Sequence, residues 1–167
     1  LKKRNIPFSP PDMSEEEARM ATEAILSGWI TTGPKTKEFE RKIAEYCGTD
    51  KAVCLNSATA CMEMILRVLG VGPGDEVITT TFTFIATAEV IALLRLKPVL
   101  VDIEKDSYNI DPTAIERAIT PKTKAIVPVH IFGQCANMEA IMDIARRHNL
   151  YVVEDNAQAI GADYTFS

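Results

Sequence analysis

The chain has 167 residues, 47% of them hydrophobic and 25% charged, a composition that supports one globular core and excludes a disordered or low-complexity chain. Its 18 basic and 23 acidic residues leave a net charge of −5, and with no basic stripe beyond Lys2-Lys3-Arg4, nucleic acid and anionic membrane are excluded as partners. The longest apolar run, residues 85–94, is interrupted by Thr87 and Glu89 and ends at Arg95, too short to cross a bilayer; with no signal-peptide pattern, a cytoplasmic protein is expected.

Residues 1–12 carry three prolines and no periodic pattern, and read as an extended arm; the start on Leu1 suggests processing or trimming. Ser14-x-x-Glu17 is a capping box, followed by Met20, Ala24 and Ile25 at helical spacing and a stop at Gly28. After the loop from Trp29 to Pro34, a second helix is expected over 36–47, with Phe39, Ile43 and Cys47 on one side and Gly48 as its stop. From Lys51 a rhythm sets in. Strand-like runs at 52–55, 76–79, 98–102, 125–129 and 151–154 alternate with helix-like segments at 58–69, 84–94, 112–119 and 138–148. Asp111-Pro112 opens the third of these helices as cap and N1 proline, and Asn137 caps the fourth. This alternation implies an α/β fold, a mostly parallel sheet covered by helices on both faces in three layers. After Asp155 the chain reaches Ser167 without another complete element, so it reads as cut.

The four cysteines, Cys47, Cys54, Cys61 and Cys135, form no C-x-x-C pair, and the two histidines have no ligand spacing, so no metal site is expected. Two nucleotide motifs fail on context. Gly28 to Thr36 approximates a phosphate loop, but Pro34 separates the second glycine from Lys35 and a helix precedes it; Gly70-x-Gly72-x-Gly74 follows a helix and reads as a turn.

The segment Asn56-Ser57-Ala58-Thr59 has better context, since a helix N-terminus after a strand offers backbone N–H groups and hydroxyls to a phosphate; the plainer reading is a helix cap. Phe82 and Phe84 follow the next strand, one able to pack and the other to stack on a planar ligand. His130 ends the fourth strand with no acidic partner visible in the sequence and reads as structural rather than as a proton carrier. The apolar run from Leu150 ends on Asp155, with Gln158 three positions on. In an open parallel sheet the ligand crevice lies at the carboxyl ends of the strands, so this acid either caps the next loop or pairs with a protonated ring nitrogen. A phosphate-bearing, planar, cationic heteroaromatic fits the set, and pyridoxal 5'-phosphate is such a molecule.

Ser27-Gly-Trp-Ile-Thr-Thr-Gly-Pro34, Asn56-Ser-Ala-Thr-Ala60, Gly72-Pro-Gly-Asp-Glu-Val-Ile78, Thr83-Phe-Ile-Ala-Thr87, Lys124-Ala-Ile-Val-Pro-Val129 and Glu154-Asp-Asn-Ala-Gln158, in that order, resemble the DegT/DnrJ/EryC1/StrS aminotransferases. The resemblance implies the large domain of a fold-type I pyridoxal-phosphate enzyme. It divides the chain into an arm, helix and substrate-side loop at 1–35 and a cofactor-binding domain at 36–167, incomplete at its C-terminus and without the C-terminal small domain. It further implies that Ser57, Ala58 and Thr59 receive the cofactor phosphate, that Phe84 stacks on the pyridine ring while Phe82 packs, that Asp155 holds the ring nitrogen protonated and acts in catalysis, and that Gln158 bonds the 3-oxygen. Thr31 and Thr32 fall on the substrate-side loop. The implied reaction moves an amino group from an amino acid such as glutamate to a nucleotide-linked keto sugar, in a homodimer.

The family's Schiff-base lysine lies in an S-x-x-K motif, and no S-x-x-K occurs in these 167 residues. Lys51, Lys97, Lys122 and Lys124 sit at strand starts or in turns, on the wrong edge of the expected sheet, so the chain alone is expected to be inactive. Two alternatives remain at this point: a same-fold sugar dehydratase or non-catalytic paralogue, and a small-ligand binding module in which Asp155 and Ser57 are only caps.

Overall fold

The computed structural model describes Pro7 and residues 10–167, which fall into two compact units, Leu1–Cys54 and Leu55–Ser167. In the first, Glu15–Leu26 (α1) starts on the expected capping box, with the Ser14 N–H donating to the Glu17 carboxylate at 2.6 Å. Pro34–Cys47 (α2) starts at Pro34 rather than at 36, because a proline at N1 gives up an N–H that would have no helical partner. It ends on Gly48 at φ 64°, the left-handed turn that glycine adopts without a Cβ penalty. The extended arm expected over residues 1–12 lies largely outside the described residues.

The strand expected at 52–55 does not form. An apolar run becomes a strand only where a neighbour takes its backbone groups, and this segment pairs with none of the four strands of the sheet. Its Cys54 N–H donates instead to the Glu40 carboxylate at 2.9 Å, and Val53 is exposed.

The second unit runs through Ala58–Val68 (α3), Glu76–Thr80 (β1), Ala86–Leu93 (α4), Lys97–Val101 (β2), Pro112–Ala118 (α5), Thr123–Val127 (β3), a 3-10 turn at Ile131–Gly133, Met138–His148 (α6) and Tyr151–Val152 (β4). All neighbouring strands are parallel, in the order β2-β1-β3-β4. Sequence-marked caps hold: Asp111 accepts from the Thr113 N–H at 2.8 Å and Asn137 from the Ala140 N–H at 3.2 Å.

Strand alternation sorts the core into two layers. Val77, Ala125, Val127 and Val153 join Met62 and Leu66 of α3 and Ala86, Val90 and Ile91 of α4. Ile78 and Ile126 face the other way, onto Ala114 and Ile115 of α5 and Ile141, Ile144 and Ala145 of α6. Both faces of the sheet are therefore covered, and each fully buried Ile or Leu contributes about 1.5–3 kcal/mol. The sheet's central pair is β1 and β3, whose connections leave in opposite directions, through α4 to β2 and through α6 to β4. That reversal opens a crevice at the carboxyl ends of β1 and β3.

Candidate functional site

Asp155 stands at this edge. β4 is short, but its pairing with the β3 side persists: the Asp155 N–H donates to the Pro128 carbonyl at 2.9 Å and its carbonyl accepts from the His130 N–H at 3.2 Å, a parallel bridge between Val129 and Asp155. Val153 belongs to the core layer under α3 and α4, and side chains alternate along an extended chain, so Asp155 faces the same side. The residue is 7% exposed. Its Oδ2 accepts from the Thr87 hydroxyl at 2.8 Å and its Oδ1 from the Ala157 N–H at 3.2 Å. Thr87 sits in the first turn of α4, and its Oγ1 lies 3.3 Å from that of Thr83.

The N-terminus of α3 comes to the same edge. A turn joins the C-terminal end of α3 to the amino end of β1, so the helix start lies at the strands' carboxyl ends, on the α3/α4 side. Ser57 is the N-cap, its Oγ accepting from the Ala60 N–H at 3.1 Å, which leaves the hydroxyl proton to be given outward. Ser57, Ala58 and Thr59 are exposed. Phe84 precedes α4, which starts at Ala86 rather than at 84, and the ring is 74% exposed. Phe82, expected to pack, is 41% exposed and in neither core layer, its ring centroid 5.7 Å from Tyr108 and 6.0 Å from Phe132.

Gln158 is oriented by backbone. Its Oε1 accepts from the Phe132 N–H at 2.9 Å, so its Nε2 is the end that can donate to a ligand. The same turn holds two consecutive left-handed residues, Phe132 at φ 56° and Gly133 at φ 84°. Asn109, fully buried, closes the same loop: its Oδ1 accepts from the Ile131 N–H at 3.2 Å and its Nδ2 donates to the carbonyls of Gln134 at 3.1 Å and Cys135 at 3.2 Å. Sequence pattern gives no role to Asn109, nor to Thr87 beyond its place at the end of the Thr83–Thr87 motif, because each has partners distant along the chain.

On the opposite face of the sheet edge, His130 has the acidic partner that the sequence hides. The Ala136 N–H donates to Nδ1 at 3.0 Å, which leaves Nε2 to donate to Glu154 at 2.8 Å. This hydrogen bond holds the Glu154 carboxyl below its ordinary range, against the opposing effect of its burial. Both ring nitrogens of His130 are thereby engaged. The lysines Lys97 and Lys124 lie at the amino ends of β2 and β3, with Lys122 just before β3; the Lys97 ammonium pairs with Glu76 at 2.8 Å. Lys105 stands in the turn beyond β2, exposed.

In the first unit, Thr31 and Thr32 lie on the loop between α1 and α2. Thr31, with Glu23, Ser27 and Trp29, lines a hollow of about 210 Å³. Gly33 belongs there for a steric reason: a Cβ would meet the Trp29 ring at 3.0 Å.

Residues 11–165 match the family model of the DegT/DnrJ/EryC1/StrS aminotransferase family. The spore coat polysaccharide biosynthesis protein SpsC of Bacillus subtilis (strain 168) is 45% identical over 166 residues, 98% of this chain and 43% of SpsC. Spr1654 from Streptococcus pneumoniae, assigned as a sugar aminotransferase and solved in PLP, PMP and apo forms, is 44% identical, with a TM-score of 0.90 over 95% of this chain and 44% of its own. The aminotransferase from Psychrobacter cryohalolentis is 39% identical, with a TM-score of 0.90 over 95% of this chain and 41% of its own. The chain thus spans less than half the length of these relatives.

Proposed function

The chain belongs to the DegT/DnrJ/EryC1/StrS aminotransferase family, and from that premise we propose that it is the cofactor-binding part of a pyridoxal-phosphate enzyme that moves an amino group from an amino acid, glutamate, to a keto sugar carried on a nucleotide. The likeness to SpsC supports a role in polysaccharide synthesis, and the intact enzyme is proposed to work as a cytoplasmic homodimer.

The observation that carries this reading is Asp155, a buried carboxylate at a strand's carboxyl end held by donors on both oxygens. The residues present fit the cofactor. Asp155 retains lone pairs to accept from a protonated ring nitrogen. Gln158 would give its Nε2 to the 3-oxygen, Phe84 would offer its open ring face to the pyridine, and the first-turn N–H groups of α3 with the Ser57 and Thr59 hydroxyls would hold the phosphate. When bound, the cofactor supplies an electron sink conjugated to the reacting carbon. Asp155 serves that chemistry by keeping a proton on the ring nitrogen. Thr31 and Thr32 are assigned to the sugar side.

The intact protein, loaded with pyridoxal 5'-phosphate, is expected to be yellow and to transaminate between glutamate and a nucleotide-linked keto hexose. Asp155→Ala is expected to abolish turnover. An intact protein that gains no visible band with added cofactor would sink the proposal, and normal rates in the Asp155→Ala variant would remove the ring-nitrogen assignment.

A further inference from the structure

The buried face of α4 consists of Ala86, Thr87, Val90 and Ile91. Thr87 is 1% exposed among apolar neighbours, where an isosteric valine would bury the same volume without removing a hydroxyl from water. The hydroxyl therefore needs a partner, and its partner is Asp155 Oδ2 at 2.8 Å. An ionised carboxylate only accepts, so Thr87 is the donor, and its remaining lone pairs receive the Thr83 hydroxyl at 3.3 Å. The chain of hydrogen bonds runs one way, from Thr83 through Thr87 into the carboxylate, and donors in series strengthen one another.

We propose that Thr87 is a positioning residue for Asp155, its hydroxyl setting the orientation of the carboxylate that faces the cofactor's ring nitrogen. This inference rests on the cofactor reading above. Thr87 and the Ala157 N–H hold the two carboxylate oxygens from different directions, which fixes the carboxylate plane. Without the hydroxyl, Oδ2 loses its donor, and the Ala157 N–H on Oδ1 alone no longer fixes rotation about χ2.

The test is pyridoxal 5'-phosphate titration of the intact apoprotein, followed by a pH titration of the visible band. Thr87→Val is expected to raise the dissociation constant up to about tenfold, the cost of ordering one freed side chain when the cofactor binds, and to move the midpoint of the band's pH titration. Thr87→Ser, which restores the donor, is expected to bind within about twofold of the parent and to keep the midpoint. Should Thr87→Val fail to fold, Thr87→Ala read against Thr87→Ser decides in the same way. Unchanged affinity and midpoint in the valine variant would overturn the inference, as would a serine variant as impaired as the valine one. Asp155→Ala separates the two levels. If it too leaves cofactor binding intact, the ring-nitrogen reading falls; if it weakens binding while Thr87→Val does not, only this inference falls.

Discussion

Asn109 uses one amide to hold three backbone groups of a loop from the next crossover, at Ile131, Gln134 and Cys135. That loop carries the Phe132 N–H that orients Gln158, so Asn109 acts on the site without facing it. Asn109→Asp keeps the volume but sets an acceptor against two carbonyls and leaves them without their donor. A loss of about 3 kcal/mol is expected from the buried unpaired groups, read as a lowered urea midpoint; an unchanged midpoint would show that the loop is held elsewhere. Residues of this kind define what single-sequence reading can reach. Asp155 is legible because an apolar run ending in an acid implies a strand terminus at a crevice, and Ser57 because a helix start implies exposed N–H groups. Thr87 is not, because a threonine in an apolar helix has no signature until its partner, 68 residues away, is folded against it. The same holds for the acid beside His130, which lies 24 residues on, past the end of β4.

Between elements, the contact of α5 with α6 is pinned by Glu116, whose carboxylate takes Arg147 at 2.6 and 2.9 Å and His148 at 2.8 Å. Hydrogen bonds from Arg147 first and His148 second lower the Glu116 carboxyl from 4.5 to about 2. Because the folded value lies below the unfolded one, the contribution is complete above 4.5 and is lost as the pH falls from 4.5 towards about 2. Thermal melts of Glu116→Gln against the parent should differ at neutral pH and converge as the pH falls below 4.5. The pair is solvent-exposed, so added salt should also narrow the gap; a gap independent of pH and salt would identify lost packing instead. The elements themselves are legible where local signals agree, as with Asp111-Pro112 before α5 and Asn137 before α6. The segment at 52–55 is misread because β-type composition does not supply a neighbour, and strand formation is a property of pairs.

For the molecule as a whole, the sheet's two edges divide the charged groups by function. The carboxyl edge gathers Asp155 and the start of α3, the groups assigned to the cofactor. The amino edge holds Lys97, Lys122 and Lys124, and there the Glu76 carboxylate takes the Lys97 ammonium at 2.8 Å and the Thr120 hydroxyl at 2.6 Å, which hold it below its ordinary range. These lysines are separated from Asp155 by the length of the strands. Lys105 is the exception in position, in the turn beyond β2, but it is exposed, and the donors to the Asp155 carboxylate are Thr87 and Ala157. A lysine that holds the cofactor has to approach the crevice from inside, shielded from water, to act as both nucleophile and proton carrier. No lysine in these 167 residues stands in an S-x-x-K motif, and the relatives that the chain matches extend to more than twice its length. The expected outcome follows from this division. Borohydride reduction of the intact protein loaded with pyridoxal 5'-phosphate, followed by proteolysis and mass analysis, should place the label on a lysine outside residues 1–167. The same treatment of the 167-residue chain should give no stoichiometric label, and specific labelling of Lys105 or of any other lysine in this chain would show that the chain carries both halves of the catalytic pair.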